Sequence, residues 1–497
     1  MKQPLIPRSP RFGRERGVTM VLVAIAMVAI IAMAAISIDV ITLYLAREEA
    51  QRSADTAALA AARVISLSGI TGDPANTTSS WQAICGGTSS PATLTGTAVA
   101  LENVVGGAAA NTATVTYGGT TASDCSTLIS SPAGTFSVNP TVTVKVQRTN
   151  LPNFFSRIWT RSGTNVSASA TAEVFNSSAS NVGTSSVVPV QPACVKPWFV
   201  PNYDPLNPLN PANPNCTTNC QPFVSLSNGS IQNPGISLNG GNPTTTGVIG
   251  ENFWLAANCK IGGSGCILRT GTLPIQANLN NDGVVPGPPP PANRNLLYYP
   301  GQAPAVTPAA VPGCSSAGNL YEQTIAGCDQ STVYQCGVPL GNTLDLSENP
   351  STQNGDTAQG VQCLIHQGST SGGVGGGAGE GQDSLNDSLF PFQIQAGSSN
   401  PLVLNAGLPS GSTITASNSI VSLPIYDQTT SNAVVPGGTS QVTVVGFLQV
   451  FINNVDEWDN INVTVLNLTG CGNGSPPVAS NPVAGTSPVP IRLITPP

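Results

Sequence analysis

The chain has a single histidine, His366, and charged side chains make up only 8% of its 497 residues. Metal hydrolysis built on several histidines is thereby excluded. A Ser–His–Asp triad would have to use His366, whose neighbours Leu364, Ile365, Gln367 and Gly368 hold no nucleophile-elbow motif. There is no P-loop and no dinucleotide fingerprint. The glycine runs lack a fixed lysine and the strand–turn–helix setting those motifs need, so no cofactor is expected. Positive charge is scarce too: beyond residue 17 the chain has 12 basic and 23 acidic residues. No basic patch exists to neutralise phosphates, which argues against a nucleic-acid partner. The first cysteine is Cys85, far from the N-terminus, so a lipid-modified N-terminal cysteine is not expected.

What the chain does have is one long apolar run. Val18 to Ile38 is uncharged and apolar apart from Thr19 and Ser37. As a helix, its 21 residues span about 32 Å, enough for a bilayer core. Lys2, Arg8, Arg11, Arg14 and Arg16 against Glu15 give the preceding arm a net charge of +4, while the remainder carries −11. Positive charge stays on the cytoplasmic side, so residues 1–17 read as a cytoplasmic basic arm, 18–38 as a transmembrane helix, and the bulk as periplasmic or extracellular. Ala32–Met33–Ala34–Ala35 offers small residues for a signal-peptide cleavage, but the apolar core is longer than the roughly 7–15 residues of a secretory segment. Retention as an inner-membrane anchor is the expectation.

The helix is expected to continue past the membrane. Leu43, Ala46, Ala50, Ala54, Ala57, Ala61 and Val64 recur at steps of three and four, with Arg47, Glu48, Gln51, Arg52 and Asp55 opposite. Gly69 and Gly72–Asp73–Pro74 stop it near Ser66–Gly69. The small-residue stripe at Ala50, Ala54, Ala57 and Ala61 is a candidate interaction surface, toward the protein's own sheet or partner subunits. Asp39, at the end of the apolar run, is another candidate: it either pairs with a partner inside the membrane or sits at the outer interface.

Alternating segments at Thr112–Tyr117, Val138–Val146 and Val166–Val174 predict strands, and Leu151–Trp159 predicts a short helix with Pro152 in its first turn. The fold class expected is α+β: a long N-terminal helix packed on an antiparallel sheet, then a loop-rich, disulfide-containing, mainly-β region. The organisation expected is a juxtamembrane helix and α+β domain over 39–180, a cysteine-rich irregular domain over 189–370, a glycine-rich linker over 371–382 and a β-rich region over 383–497. Within the last, Ile420–Leu423, Val442–Ile452 and Ile461–Leu468 should pair antiparallel, and Val489–Ile494 offers an edge strand.

Twelve cysteines, an even number, all follow the anchor: Cys85, Cys125, Cys194, Cys216, Cys220, Cys259, Cys266, Cys314, Cys328, Cys336, Cys363 and Cys471. Disulfides in an oxidising compartment are the simplest reading, with Cys85–Cys125 and Cys259–Cys266 as local pairs. Cys216 and Cys220 are spaced for zinc, but no second pair accompanies them, and oxidation is favoured. Asp456, Glu457 and Asp459 in NNVDEWDN are a weak candidate calcium site, with a solvated acidic turn as the alternative; Glu380, Asp383 and Asp387 form a similar cluster. Trp198, Trp254 and Trp458 are candidates for carbohydrate contact, although tryptophan is more often core.

Arg14 to Ala62 resembles the N-terminal segment of the Tad (tight adherence) family, including TadG-like Flp-pilus assembly proteins. The resemblance lies in Arg16–Gly17 before the apolar run, Asp39 at its end, Tyr44 with the following Leu-Ala-Arg, and the block Gln51–Arg52–Ser53–Ala54–Asp55–Thr56–Ala57–Ala58–Leu59–Ala60. The segment 141–174 is similar to the region that follows in many such proteins. The resemblance implies an envelope protein of a pilus or secretion apparatus, with pilus-assembly or pilin-like subunits as partners and no catalysis. Two departures matter. Asp345–Leu346–Ser347 followed by Asn349 does not make the Asp-x-Ser-x-Ser metal site of relatives with a von Willebrand factor A-like domain. Leu22, five residues beyond Gly17, stands where type IV pilin precursors carry glutamate. A secreted or surface adhesin is the alternative reading, and a periplasmic hydrolase using acidic residues is a weaker one.

Overall fold

The computed structural model describes residues 16–72, 78–129, 136, 139–152, 155, 163–176, 190–207, 220–240, 247–259, 295–301, 320–328, 332–346, 355–368, 381–429, 434–435, 437–456, 459–471, 483–485 and 487–494. The chain divides into two compact units. One comprises Met1–Ala57, Thr97–Thr114 and Val144–Ala170; the other comprises Ala58–Gly96, Val115–Thr143 and Thr171–Pro497.

Helix α1 (Arg16–Leu67) is a single 52-residue element, and among the described residues it is the one helix long and apolar enough to cross a membrane. Its apolar segment is exposed apart from the half-buried Ala32 and Ala35. The two hydroxyls near its end are satisfied inside the helix: Ser37 Oγ donates to the Met33 carbonyl at 2.8 Å and Thr42 Oγ1 to that of Asp39 at 2.9 Å. From Ala46 one face becomes buried, at Ala46, Ala50, Ala54, Ala57, Ala58, Ala61, Ala62 and Ile65. The helix stops at Leu67, as the sequence predicts, and Gly69 takes φ +72.

Two short helices follow, α2 (Thr78–Cys85) and α3 (Pro91–Glu102), with Pro91 at the first helical position of the latter. Strands β1 (Thr112–Tyr117) and β3 (Thr164–Val174) match the alternating segments, and β2 (Thr141–Leu151) overlaps the segment expected over Val138–Val146 but runs five residues further. A C-terminal strand, Ile491–Ile494, joins them in the order C-terminal strand–β3–β2–β1, pairing antiparallel with β3 at Ile491–Val174 and Ile494–Thr171. It is the edge strand expected. Leu151 belongs to β2, and most of the helix expected over Leu151–Trp159 lies outside the described residues.

The second unit contains a closed six-stranded barrel. Its strands are β4 (Trp198–Pro201), β5 (Asn252–Ala257), β6 (Asn295–Pro300), β7 (Ile420–Tyr426), β8 (Val444–Val455) and β9 (Ile461–Gly470), closing in the order β7–β8–β9–β5–β6–β4. The antiparallel β7–β8–β9 pairing is the one expected. The cysteine-rich stretch, read from sequence as irregular, supplies the other three strands, with β5 parallel to β6 and β4 parallel to β7. Alternation turns Ile461, Val463 and Val465 inward with Phe253, Leu255, Leu423 and Ile425. The register shift near Gln449/Val450 makes Leu466 the extra residue, so Leu468 rather than Asn467 points inward next. Leu466 instead packs outward with Phe451, Ile394 and Ile414, under a small sheet of Ser384–Asn386, Gln393–Gln395 and Thr413–Ile414. Helices α4 (Leu320–Ala326) and α5 (Asp356–Ile365) add Tyr321, Ile325, Val361 and Ile365 to the barrel core.

Cys85–Cys125 forms as expected, beside Trp81, Phe136 and Tyr117, whose rings are 5.3 and 6.4 Å apart in successive pairs. Cys194–Cys328 and Cys336–Cys471 are long-range bonds. Among the described residues no cysteine is free, and Cys220 is disulfide-bonded, which removes it from any zinc site. Cys259 is also disulfide-bonded; Cys266 lies outside the described residues, as do Cys216 and Cys314.

Closing a 40-residue separation restricts the unfolded chain, a loop-entropy effect of about 4 kcal/mol. Replacing Cys85 and Cys125 together by serine is expected to lower stability by up to that amount, read as the denaturant midpoint of the purified full chain.

Candidate interaction site along the N-terminal helix

In the first unit the candidate residues are drawn into the chain's own interior. Asp39 is only 6% exposed, and its two carboxylate oxygens accept the backbone N–H of Phe155 at 3.2 and 3.1 Å. This is a charge-assisted contact made across 116 residues of sequence. The two sequence readings, a partner inside the membrane or a place at the outer interface, did not include this backbone contact. Further along, Glu49 Oε2 accepts the Gly106 N–H at 2.7 Å, Ser53 Oγ donates to the Ala100 carbonyl at 3.0 Å, and Gln51 Nε2 donates to the Ser169 carbonyl at 3.2 Å. Ala50, Ala54 and Ala57 are fully buried between these polar edges. Gly106 shows why the stripe is small: at φ +61, a Cβ there would collide with Leu151 and lie 3.5 Å from the Ala46 Cβ.

In the second unit Ala58, Ala61, Ala62 and Ile65 continue the buried face to the helix end. The Ser66 carbonyl, one of the last four of α1, accepts Asn467 Nδ2 at 2.6 Å, and Ser66 Oγ donates to the Val489 carbonyl at 2.6 Å. Asn176 bridges Thr71 Oγ1 and Thr469 Oγ1 at 3.3 and 2.9 Å. A Cβ at Gly69 would collide with the Leu466 carbonyl, so β9 and the end of α1 meet backbone to backbone.

The other sequence candidates serve as structural acceptors or core. Asp459 Oδ1 accepts the N–H groups of Gly355 and Ala358, both at 3.1 Å, capping α5, whose own N-cap glycine has no side chain. Asp456 binds Asn460 through its backbone N–H at 2.9 Å and its Nδ2 at 2.8 Å. Glu457 and Trp458 lie outside the described residues. Among the described residues no group of three His, Cys, Asp or Glu side chains is placed to hold a metal. Asp383 accepts from Gly397 N, Asn400 Nδ2 and Ser417 Oγ, while Glu380 lies outside the described residues. His366 is the left-handed C-cap of α5; burial lowers its pKa, opposed by Asp383. Trp198 is barrel core and Trp254 is partly buried in β5.

Sequence reasoning missed two buried polar sites in the barrel unit. Asp204 and Glu251 are both buried, bridged by Asn233 Nδ2 at 3.3 and 3.4 Å; burial raises the Asp204 pKa, opposed by its hydrogen bond with Glu251. Lys196 is buried and donates to the carbonyls of Ile325 and Gly327 at 2.7 and 2.5 Å, at the C-terminal end of α4. Burial lowers its pKa from 10.5 to about 7. In neither case does the local sequence distinguish the residue from a surface polar group.

Two outcomes are expected. Ala54→Leu overfills the stripe and costs about 1–3 kcal/mol, whereas Ala at the exposed Arg52 changes stability by less than about 0.5 kcal/mol; thermal unfolding in detergent reads both. For Lys196, the unfolded chain holds its proton up to 10.5 and the folded chain releases it near 7, so the unfolded state binds more protons between those values and stability rises with pH across that window. Lys196→Met removes that slope and, by leaving two buried carbonyls without their donor, costs about 1–3 kcal/mol. Denaturant titrations at several pH values test both effects.

Residues 17–64 match the family model described as Tad, putative Flp pilus-assembly TadE/G-like. No curated protein and no solved structure matches the chain. The matched residues run from the start of the apolar segment through the buried alanine stripe, so the likeness to this family covers residues 17–64, within the helix that is long and apolar enough to cross a membrane.

Proposed function

We propose that the protein is a structural component of a Flp-type (Tad) pilus assembly or a related secretion apparatus, held in the inner membrane by α1 and working by interaction rather than catalysis. The observation that carries this reading is the coincidence of the family match with both halves of α1, the exposed apolar run and the buried alanine face. An envelope-assembly factor needs an anchor that is also part of its folded body, and α1 contributes to both compact units. The basic arm sets the orientation, N-terminus inside and bulk outside. The partners in this reading are pilus-assembly or pilin-like subunits.

In-cell crosslinking of the tagged full-length protein, followed by mass spectrometry of its partners and of its own N-terminus, tests the proposal. Recovery from the membrane fraction with an intact Met1–Ile38 segment, together with pilus motor, platform or pilin subunits, is the expected outcome. A trimmed chain released from the membrane without such partners overturns it and moves the adhesin reading to first place.

A further inference from the structure

We infer that Phe155, between β2 and β3, is a second membrane contact, an interfacial foot whose ring enters the headgroup–acyl boundary and which Asp39 pins at that depth. The inference rests on the reading of α1 as a membrane span.

Depth along the helix is the first argument. Gly17 to Ile38 fills the roughly 30 Å hydrocarbon core at about 1.5 Å per residue, which places Asp39 at its outer boundary. The exposed face stays apolar for two more turns, at Val40, Ile41, Tyr44 and Leu45. It then changes to the exposed Arg47, Glu48, Gln51 and Arg52. Residues 40–45 therefore occupy the interfacial zone, where an aromatic such as Tyr44 is favoured.

The second argument is where the chain brings Phe155. At the end of β2, Leu151 lies level with Ala46, since a Cβ on Gly106 would meet both. Phe155 lies level with Asp39, whose two oxygens accept its N–H. Phe155 thus lies about 10 Å further toward the membrane than Leu151, seven helical residues at about 1.5 Å each. At that level Phe155 remains 40% exposed.

Composition is the third. The sequence between β2 and β3 carries Phe154, Phe155, Ile158 and Trp159 with Arg157 and Arg161, the aromatic and basic mixture that suits a bilayer surface. A buried carboxylate at the edge of a bilayer is costly unless it is hydrogen-bonded. Here it binds backbone that must itself be satisfied, so the pin removes an unpaired carboxylate and an unpaired N–H together.

The test is photocrosslinking of the full chain reconstituted into phosphatidylethanolamine/phosphatidylglycerol vesicles, with p-benzoylphenylalanine placed singly at Phe155, at Met20 in the apolar run, or at Leu389, exposed in the barrel unit. Peptide mapping of the Cys85–Cys125 bond confirms folding of each variant. Lipid adducts at 155 and 20, severalfold above 389, are expected. In the Asp39→Asn background, adducts at 155 should fall severalfold while those at 20 persist. Adducts at 20 with none at 155 overturn the foot and leave the membrane span intact; no adducts at 20 overturn the span itself and the foot with it. Undiminished adducts at 155 in the Asp39→Asn background overturn the pin.

Discussion

Alanine at 46, 50, 54, 57, 58, 61 and 62 is the constraint on which the rest of the N-terminal architecture depends. It is the best helix former and the smallest residue that keeps a side chain, so the helix stays continuous while neighbouring backbone comes close. The Gly106 turn beside Ala46 exploits that closeness. Upstream, between Val18 and Ile38, the same helix mixes six alanines with the bulkier Ile, Val, Met and Leu. What changes along this uninterrupted element is burial: the upstream alanines are exposed or half-buried, and the stripe from Ala46 is buried in the protein.

Three of the buried charges share a task. Asp39 binds the Phe155 N–H, Asp459 the N–H groups at the start of α5, and Lys196 the carbonyls at the end of α4. Each satisfies backbone that the local chain leaves open, and each acts from a distant part of the sequence. Neutral side chains do the rest: Asn467 on Ser66, Asn176 between Thr71 and Thr469, and Asn252 and Asn453 on Asn462 and Thr464 outside the barrel. A chain with so little charge is spared most of the desolvation cost of ion pairs and uses hydrogen bonds to orient its loops.

Local periodicity made part of this fold legible. The end of α1, strands β1 to β3, the β7–β8–β9 run and the edge strand at Ile491 all follow from alternation or helical spacing within a short window, and Cys85–Cys125 from proximity in sequence. The barrel did not show itself, because β4, β5 and β6 are only four to six residues long and find partners far away. Buried on both faces or ending in turns, such strands have no alternation to display. Asp39 illustrates the same limit at the candidate site. An acid closing an apolar run has one sequence signature whether water or a backbone N–H a hundred residues later receives it.

The barrel's strand order also sets a timetable. β4 is bounded on one side by β6 and on the other by β7, which is synthesised more than 200 residues later. β5 needs β9, which follows at a similar remove. The ring can therefore close only when nearly the whole chain has emerged, and until then β4 and β5 present unpaired edges of the kind that recruit foreign strands. Disulfides spanning 134 and 135 residues carry the same condition into covalent form. A chain cut short before Ile461 would carry most of its mass and all of α1, yet hold an open sheet in place of a barrel.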